Sequence, residues 1–373
     1  MAGHDAQRTV TVTVTVAVAL SREVAVVTGG YAERALSAHR ALQRRFARGD
    51  GMLRRDGRLH RPGAVAHLWP AARAFVATLD LAGIAGGAPA ELDAIIDAHL
   101  AALERYWDPR VRAYASDPPG ARIGGDVYYD DNAWAGLALV QLERLRPTAA
   151  PLQRATALAA FARGGWSRDA GLPSPGGVFW VEQGRGVGAR NHDRNAISTA
   201  PNAQLSVHLA ELGADTPAAP DAAEMADWVT GALAAEGGLI RDKIRGDGTI
   251  DRATWSYKQG SMVGLLTQLG RLADAEALAR RALDHYAATA YAGEPAAFVA
   301  IYLRNLLGLH HRTADPALRA RIADTLRERA DALWADARDG LAGRGAATLL
   351  DQSALVTLQA LAAWDPADYN LIA

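Results

Sequence analysis

Two adjacent carboxylates, Asp130 and Asp131, are the part of this sequence best suited to chemistry. Paired carboxyl groups can act as nucleophile, acid and base without a cofactor, because ionisation of one raises the pKa of the other. Tyrosines precede the pair and a tryptophan follows it within residues 126–134, and such rings suit stacking on sugars. The structural alternative is helix capping, because the apolar run 135–145 predicts a helix whose first turn favours carboxylates.

Composition excludes several classes of function. The chain has 373 residues, of which 50% are hydrophobic and 22% are charged, and its formal net charge is −1. This balance is typical of a globular protein and gives no electrostatic basis for binding nucleic acid or an anionic membrane surface. The chain contains no cysteine, which excludes disulfides and thiolate chemistry. No apolar stretch reaches the roughly 20 residues that a membrane-spanning helix needs.

The first 30 residues differ in pattern from the rest. Threonine and valine alternate over residues 9–16, and a short apolar run follows. A period of two with β-branched residues is typical of a strand. A secretion signal is the alternative, but the run is rich in threonine, Asp5 precedes it and no clear cleavage site follows. We therefore expect a poorly ordered extension or a short strand, and a cytoplasmic protein.

From residue 31 onwards, apolar residues recur at helical spacing, which predicts an all-α fold. Prolines near several helix starts agree with this prediction, because proline is tolerated in a first turn. Twelve helices are expected, over residues 31–48, 63–82, 89–107, 131–146, 150–164, 195–213, 218–235, 256–271, 274–289, 295–313, 316–336 and 348–364.

The connections between these helices alternate in length. Those after odd-numbered helices are long, with 290–294 as the exception, and those after even-numbered helices are short. Antiparallel helices connected in this way form hairpins with the long loops at one end. Six hairpins predict a closed (α/α)6 barrel; an open solenoid is the alternative, and no fixed-period repeat supports it. No linker divides the chain, so residues 31–373 are expected to form one domain.

The long loops carry aromatic rings, carboxylates and amides, which suit a neutral polar ligand with apolar faces, such as a sugar. Two carboxylates that flank a glycosidic bond can hydrolyse it without a cofactor. Asp247, Thr249 and Asp251 have the spacing of a calcium loop, but Lys258 stands where such a loop needs glutamate. The sequence therefore predicts neither a metal site nor a cofactor.

Residues 128–134, Tyr-Tyr-Asp-Asp-Asn-Ala-Trp, resemble the catalytic stretch of glycoside hydrolase family 76, the α-1,6-mannanases. Five further segments are similar to segments of that family in the same order, and the resemblance extends over residues 31–364. They are His-Leu-Trp at 67–69, Gly-Gly-Val-Phe-Trp at 176–180, Arg-Asn-Ala-Ile-Ser at 194–198, Trp-Ser-Tyr-Lys-Gln-Gly at 255–260, and the Phe/Arg helix at 297–304.

The resemblance implies an (α/α)6 barrel and a retaining hydrolase that acts on α-1,6-mannosidic linkages in an oligo- or polysaccharide. Asp130 would be the nucleophile and Asp131 the general acid and base, and retention requires their carboxyl groups to lie only about 5–5.5 Å apart. The residues implied to bind substrate are Trp69, Asp126, Tyr129, Trp134, Trp180, Asn195, Asp251, Tyr257 and Gln259.

The chain departs from the family pattern at Lys258, where the family has asparagine, and in its short connection 290–294.

Two other interpretations fit the sequence. One is another (α/α)6 sugar enzyme, either an unsaturated glucuronyl hydrolase or a sugar 2-epimerase. An epimerase needs histidines on several inner helices, and His67, His208 and His310 are scattered. The other is a carbohydrate-binding or scaffold protein without catalysis.

Overall fold

The computed structural model describes residues 30–55, 65–84, 91–118, 125–214, 220–340 and 348–373. Within these ranges the chain forms twelve α-helices and five two-residue strands. The Thr-Val alternation at residues 9–16, and with it the expected strand or extension up to residue 29, lies outside the described residues.

All twelve expected helices occur in the structure. Helix α1 covers residues 30–46, and the others are α2 (Leu68–Ala82), α3 (Glu91–Glu104), α4 (Tyr129–Leu145), α5 (Ala150–Gly164), α6 (Ala196–Glu211), α7 (Pro220–Ala232), α8 (Ser256–Gln268), α9 (Leu272–Ala288), α10 (Ala296–Arg312), α11 (Pro316–Gly340) and α12 (Leu349–Ala363). None of the described helices is long and apolar enough to cross a membrane.

The even-numbered helices form a closed inner ring. Each of α2, α4, α6, α8 and α10 packs against the next even-numbered helix, and α12 packs back against α2. Helices α3, α5, α7 and α9 lie outside this ring, each against the even-numbered helix that precedes it in the chain, and α11 packs against both α10 and α12. This closure confirms the predicted (α/α)6 barrel, and the open solenoid is wrong.

Burial separates the inner helices from the outer ones. Helix α2 buries 12 of its 15 residues, whereas the outer helix α3 buries 4 of 14. Helix α8 likewise buries 11 of its 13 residues. An inner helix contacts neighbours around its circumference, so it needs apolar or paired side chains on every face, whereas an outer helix needs them on one face only.

The described parts of the connections that precede α4, α6 and α8 meet at one end of the barrel, called here the loop-bearing end. The strands are β1 (Trp107–Asp108), β2 (Ala113–Tyr114), β3 (Arg194–Asn195), β4 (Lys243–Ile244) and β5 (Ile250–Asp251). Strands β1 and β2 pair with each other before α4. Strand β3 leads into α6 and pairs with β4, and β4 also pairs with β5; both β4 and β5 lie before α8. A bridge between Tyr128 and Val181 joins the loops before α4 and α6, so three loops form one layer.

Helices α8 and α10 approach each other closely at Gly260. A Cβ atom at this position would lie 2.6 Å from the Cα atom of Tyr302, a fully buried residue of α10. Backbone atoms cannot yield as a flexible side chain can, so this contact requires glycine.

Replacement Gly260→Ala is expected to lower the free energy of unfolding by about 2 kcal/mol, because the added methyl group must separate two inner helices. Urea denaturation measures this change. Gly308→Ala is the matched control, since it also lies in an inner helix but its Cβ would meet nothing within 4 Å. The control should keep or gain stability through helix propensity. Equal stability of the two variants would contradict the close contact.

Candidate active site

The acidic pair lies in the first turn of α4 but does not cap it. The N-cap residue is Tyr128, whose backbone is extended (φ −96°, ψ 136°) and whose side chain makes no capping bond. Asp130 accepts a hydrogen bond from the neighbouring backbone N–H of Asp131 at 3.1 Å. The Asp131 carboxyl makes no hydrogen bond with another described residue. Capping therefore does not explain the pair, and α4 begins two residues earlier than predicted.

Asn132 fixes this turn against the preceding hairpin. Its Oδ1 accepts a hydrogen bond from the backbone N–H of Tyr114 (2.8 Å), and its Nδ2 donates to the carbonyl oxygens of Tyr114 (2.9 Å) and Tyr128 (2.8 Å). The Asn132 side chain is fully buried, so water does not compete for these bonds. They fix the start of α4, and with it the direction in which the two carboxyl groups project.

Trp180 reaches the pair from the loop before α6. Its side chain donates a hydrogen bond to the carboxyl of Asp130. Its backbone carbonyl accepts from the N–H of Tyr129 at 3.0 Å, which ties this loop to α4. The ring lies 4.9 Å from that of Tyr128, and the Lys243 ammonium lies 5.6 Å from its centre. These contacts orient Asp130, while the contact of Trp180 with a substrate stays a prediction.

Burial shifts the titration of both carboxyl groups. Each side chain is half-buried at the loop-bearing end. Burial raises the pKa of Asp130 to about 6, against the opposing effect of its hydrogen bonds from the backbone and Trp180. Burial, followed by the charge of Asp130, raises the pKa of Asp131 well above its usual value. Ionisation of Asp130 therefore opposes ionisation of Asp131, and the pair loses its two protons in separate steps.

An aromatic cluster borders the pair. The ring of Tyr257 stacks on that of Phe298 with centroids 3.9 Å apart, and the rings of Trp255 and Trp69 lie 5.8 and 6.1 Å from Phe298. All four side chains are half-buried. Burial raises the pKa of the Tyr257 phenol, and the charges of nearby carboxylates, including Asp130, raise it further. The cluster thus presents apolar rings beside the acidic pair.

A third carboxylate, Asp242, lies next to this site and was not among the residues predicted from the sequence. Its Oδ1 lies 2.5 Å from Nζ of Lys258, whose side chain is 0% exposed. The charge of Asp242 contributes to the raised pKa of Asp130. A signal for this pair was present in the sequence, because Lys258 is the one charged residue in a helix that is buried on most faces, and a buried lysine requires a counter-charge.

Three of the predicted binding residues lie in the interior. Tyr129 is 5% exposed and stacks on Phe161 with centroids 4.5 Å apart, and Trp134 is 4% exposed in the core. Gln259 is fully buried and holds the backbone of Ile240, accepting from its N–H (2.8 Å) and donating to its carbonyl oxygen (2.7 Å). These side chains pack in the core or hydrogen-bond to its backbone. They therefore do not line a groove that a substrate could enter, whereas the sequence predicts that they do.

Of the other predicted binding residues, two form a hydrogen bond or ion pair with the protein, and two have a polar atom without a hydrogen-bond partner in the described part of the chain. Asp126 accepts a hydrogen bond from a backbone N–H of the neighbouring loop (2.9 Å), and Asp251 forms an ion pair with Arg245 (2.7 Å). The Oδ1 atom of Asn195 and the indole N–H of Trp69 are buried without a hydrogen-bond partner among the described residues. Asn195 and Trp69 therefore retain the capacity to bond a ligand.

The fold and the site together define a class of protein. A helical barrel that holds two adjacent carboxyl groups with raised pKa values beside half-buried aromatic rings has the groups that glycoside hydrolysis requires. The described residues contain no group of three or more acidic or histidine side chains that could hold a metal ion.

The family model described as glycosyl hydrolase family 76 matches residues 32–353, and the chain belongs to this family. It matches no curated protein.

Solved structures of the same fold are similar to the chain at low sequence identity. A family 76 mannosidase of Bacteroides thetaiotaomicron has a TM-score of 0.75 at 20% identity, over 89% of this chain and 98% of that one. An inactive α-1,6-mannanase variant of Salegentibacter has a TM-score of 0.69 at 18% identity, over 90% and 99%. Dfg5 of Chaetomium thermophilum has a TM-score of 0.66 at 15% identity, over 89% and 90%. These likenesses agree with the barrel fold.

The raised pKa of Asp130 predicts a pH-dependent cost in stability. The folded protein binds the proton more tightly than the unfolded chain, so stability falls as pH rises from the usual value of 3.8 to about 6. Asp130→Asn removes this loss, so near pH 7 the variant should be more stable by about 2 kcal/mol, allowing for partial exposure. Melting temperatures measured across this pH range give the difference.

Glu224→Gln, at an exposed position of α7, is the control for loss of a carboxylate and should show no such gain. An Asp130→Asn protein that is less stable than the wild type near pH 7 would contradict the burial of an ionised Asp130.

Proposed function

We propose that this protein is a retaining glycoside hydrolase that cleaves α-1,6-mannosidic linkages, with Asp130 as nucleophile and Asp131 as general acid and base. The observation that carries the proposal is the position of two adjacent, half-buried carboxyl groups in one helical turn, where ionisation of one raises the pKa of the other. Membership of family 76 supports it. The Salegentibacter relative also supports it, because that α-1,6-mannanase variant is inactive with two adjacent aspartates replaced by asparagine, and its complex contains α-1,6-mannotriose.

In the first step, the ionised carboxylate of Asp130 attacks the anomeric carbon, and the bond from that carbon to the glycosidic oxygen breaks. The protonated carboxyl of Asp131 gives its proton to that oxygen, so the leaving sugar departs as a neutral alcohol. The product of this step is a glycosyl ester on Asp130 with inverted configuration, and Asp131 is left ionised.

In the second step, Asp131 removes a proton from water, and the water oxygen attacks the anomeric carbon of the ester. The bond to Asp130 breaks and its carboxylate is restored, while Asp131 is protonated again. Two inversions give net retention, so the first product is an α-anomer. The hydrogen bond from Trp180 keeps Asp130 ionised before the first step and stabilises the carboxylate that leaves in the second.

The surroundings of the pair favour a neutral sugar. The half-buried rings of Trp69, Tyr257 and Phe298 offer apolar surface, and Asn195 has an unpartnered amide oxygen that can accept from a hydroxyl. A uronic acid would bring a further negative charge towards the ionised carboxylate of Asp130. This repulsion disfavours the unsaturated glucuronyl hydrolase alternative.

The direct test is hydrolysis of α-1,6-mannotetraose followed by proton NMR. We expect the wild type to release the α-anomer first, and Asp130→Asn and Asp131→Asn to lose at least about 10³-fold in kcat/KM, because each removes an essential group. The same spectra separate hydrolysis from epimerisation. Glu224→Gln is the control and should retain activity. Full activity in either aspartate variant, or initial release of the β-anomer, would be incompatible with the proposed mechanism.

Replacement Trp180→Phe tests the indole hydrogen bond. This bond lowers the pKa of Asp130, so its loss should raise that pKa and move the acid limb of the kcat/KM profile upwards by about 0.5–1 pH unit. Trp166→Phe is the matched control in the same loop, since that ring contacts Trp228 at 6.3 Å. Identical acid limbs in both variants would show that Trp180 does not lower the pKa of Asp130.

A further inference from the structure

Lys258 occupies a position that is costly for a cation. Its side chain is 0% exposed, and it lies in the first turn of α8, where the partial positive charge of a helix N-terminus disfavours another positive charge. Burial lowers the pKa of Lys258, and the charges of Asp242 and Asp251 oppose this effect. The proposed two-step reaction does not use this residue, so the reason for its presence must lie in what it contacts.

Lys258 is linked to the acidic pair through the charge of its partner, Asp242. Its Nζ atom lies 2.5 Å from Oδ1 of Asp242 and 5.0 Å from the centre of the Tyr257 ring. The charge of Asp242 acts on Asp130, and the charges of both aspartates act on the Tyr257 phenol. Lys258, Asp242 and Asp130 therefore form one electrostatic unit in which a single cation faces several carboxylates.

The charged neighbours of this unit come from several elements. Lys258 faces Asp242 and Asp251 from the loop before α8, together with Lys243 of the same loop. Asp130 faces Asp131 and Asp242, and Glu294, before α10, faces the phenol of Tyr257.

We propose that Lys258 is a positioning residue that assigns the negative charge of the site to Asp130. By pairing with Asp242 it neutralises the third carboxylate, so that only Asp130 and Asp131 compete for a proton. This proposal rests on the proposed function, because it concerns the charge that the nucleophile must carry. Without Lys258, Asp242 would compete with Asp130 for one negative charge, and less of Asp130 would be ionised at a given pH.

The test is the pH profile of kcat/KM for α-1,6-mannotetraose. Lys258→Met removes the charge and keeps an unbranched side chain, and it should move the acid limb upwards by about one pH unit. The double variant Lys258→Met/Asp242→Asn removes both members of the ion pair and should return the acid limb to its wild-type position. A purely structural role predicts lower melting temperatures with an unchanged acid limb in both variants, and that result would overturn the proposal.

Two further variants keep the test decisive. Lys258→Arg keeps the charge but changes the shape, so its acid limb should match that of the wild type even if its melting temperature is lower. A shift of the acid limb equal to that of Lys258→Met would overturn the proposal. Arg321→Met breaks a remote ion pair with Asp284 (2.6 Å) and is the control, with no expected shift.

A measurement without turnover separates this proposal from the proposed function. Carbon-13 NMR titration of the aspartate carboxyl groups, with the Asp130 signal assigned through Asp130→Asn, reports ionisation in the absence of substrate. If the wild type does not hydrolyse mannosides, the proposed function fails, while an upward shift of the Asp130 titration in Lys258→Met still supports the role of Lys258. An unshifted Asp130 titration in folded Lys258→Met would overturn it.

Discussion

The electrostatic coupling between Asp130 and Asp131 is the constraint on which the site depends. Both carboxyl groups lie half-buried in one helical turn, where water screens them poorly, so ionising one makes ionising the other costly. The helix N-terminus and the Trp180 hydrogen bond favour charge on Asp130, and Asp131 lacks such a donor. The environment of two chemically identical side chains therefore favours charge on Asp130, as the proposed roles of nucleophile and acid require.

The barrel supplies the rigidity that this coupling requires. The inner ring closes through the contact of α12 with α2, so the start of α4 is held by neighbours on both sides. Asn132 and the bridge between Tyr128 and Val181 then attach that start to two loops. Burying charge in the site reduces stability, and the apolar inner helices offset this loss.

Much of the fold could be predicted because helical periodicity and connection length are local properties of the sequence. The twelve helices and the end that carries the long loops follow from them. The inward positions of Tyr129 and Gln259 could not be predicted, because side chains one or two residues apart on a helix face different directions, and the sequence does not specify which of these directions faces the core. The pairing of Asp242 with Lys258 joins a loop to a helix, and only the three-dimensional structure specifies such a partner.

The central claim is that Asp130 attacks the sugar and Asp131 serves it as acid and base. Trapping the glycosyl-enzyme with a 5-fluoro-mannosyl fluoride, followed by proteolysis and mass spectrometry, tests this claim most directly. The account predicts one mannosyl label per chain, on the carboxyl of Asp130. A label on Asp131 or on a residue outside the pair, or turnover of the reagent with inverted configuration and no label, would contradict it.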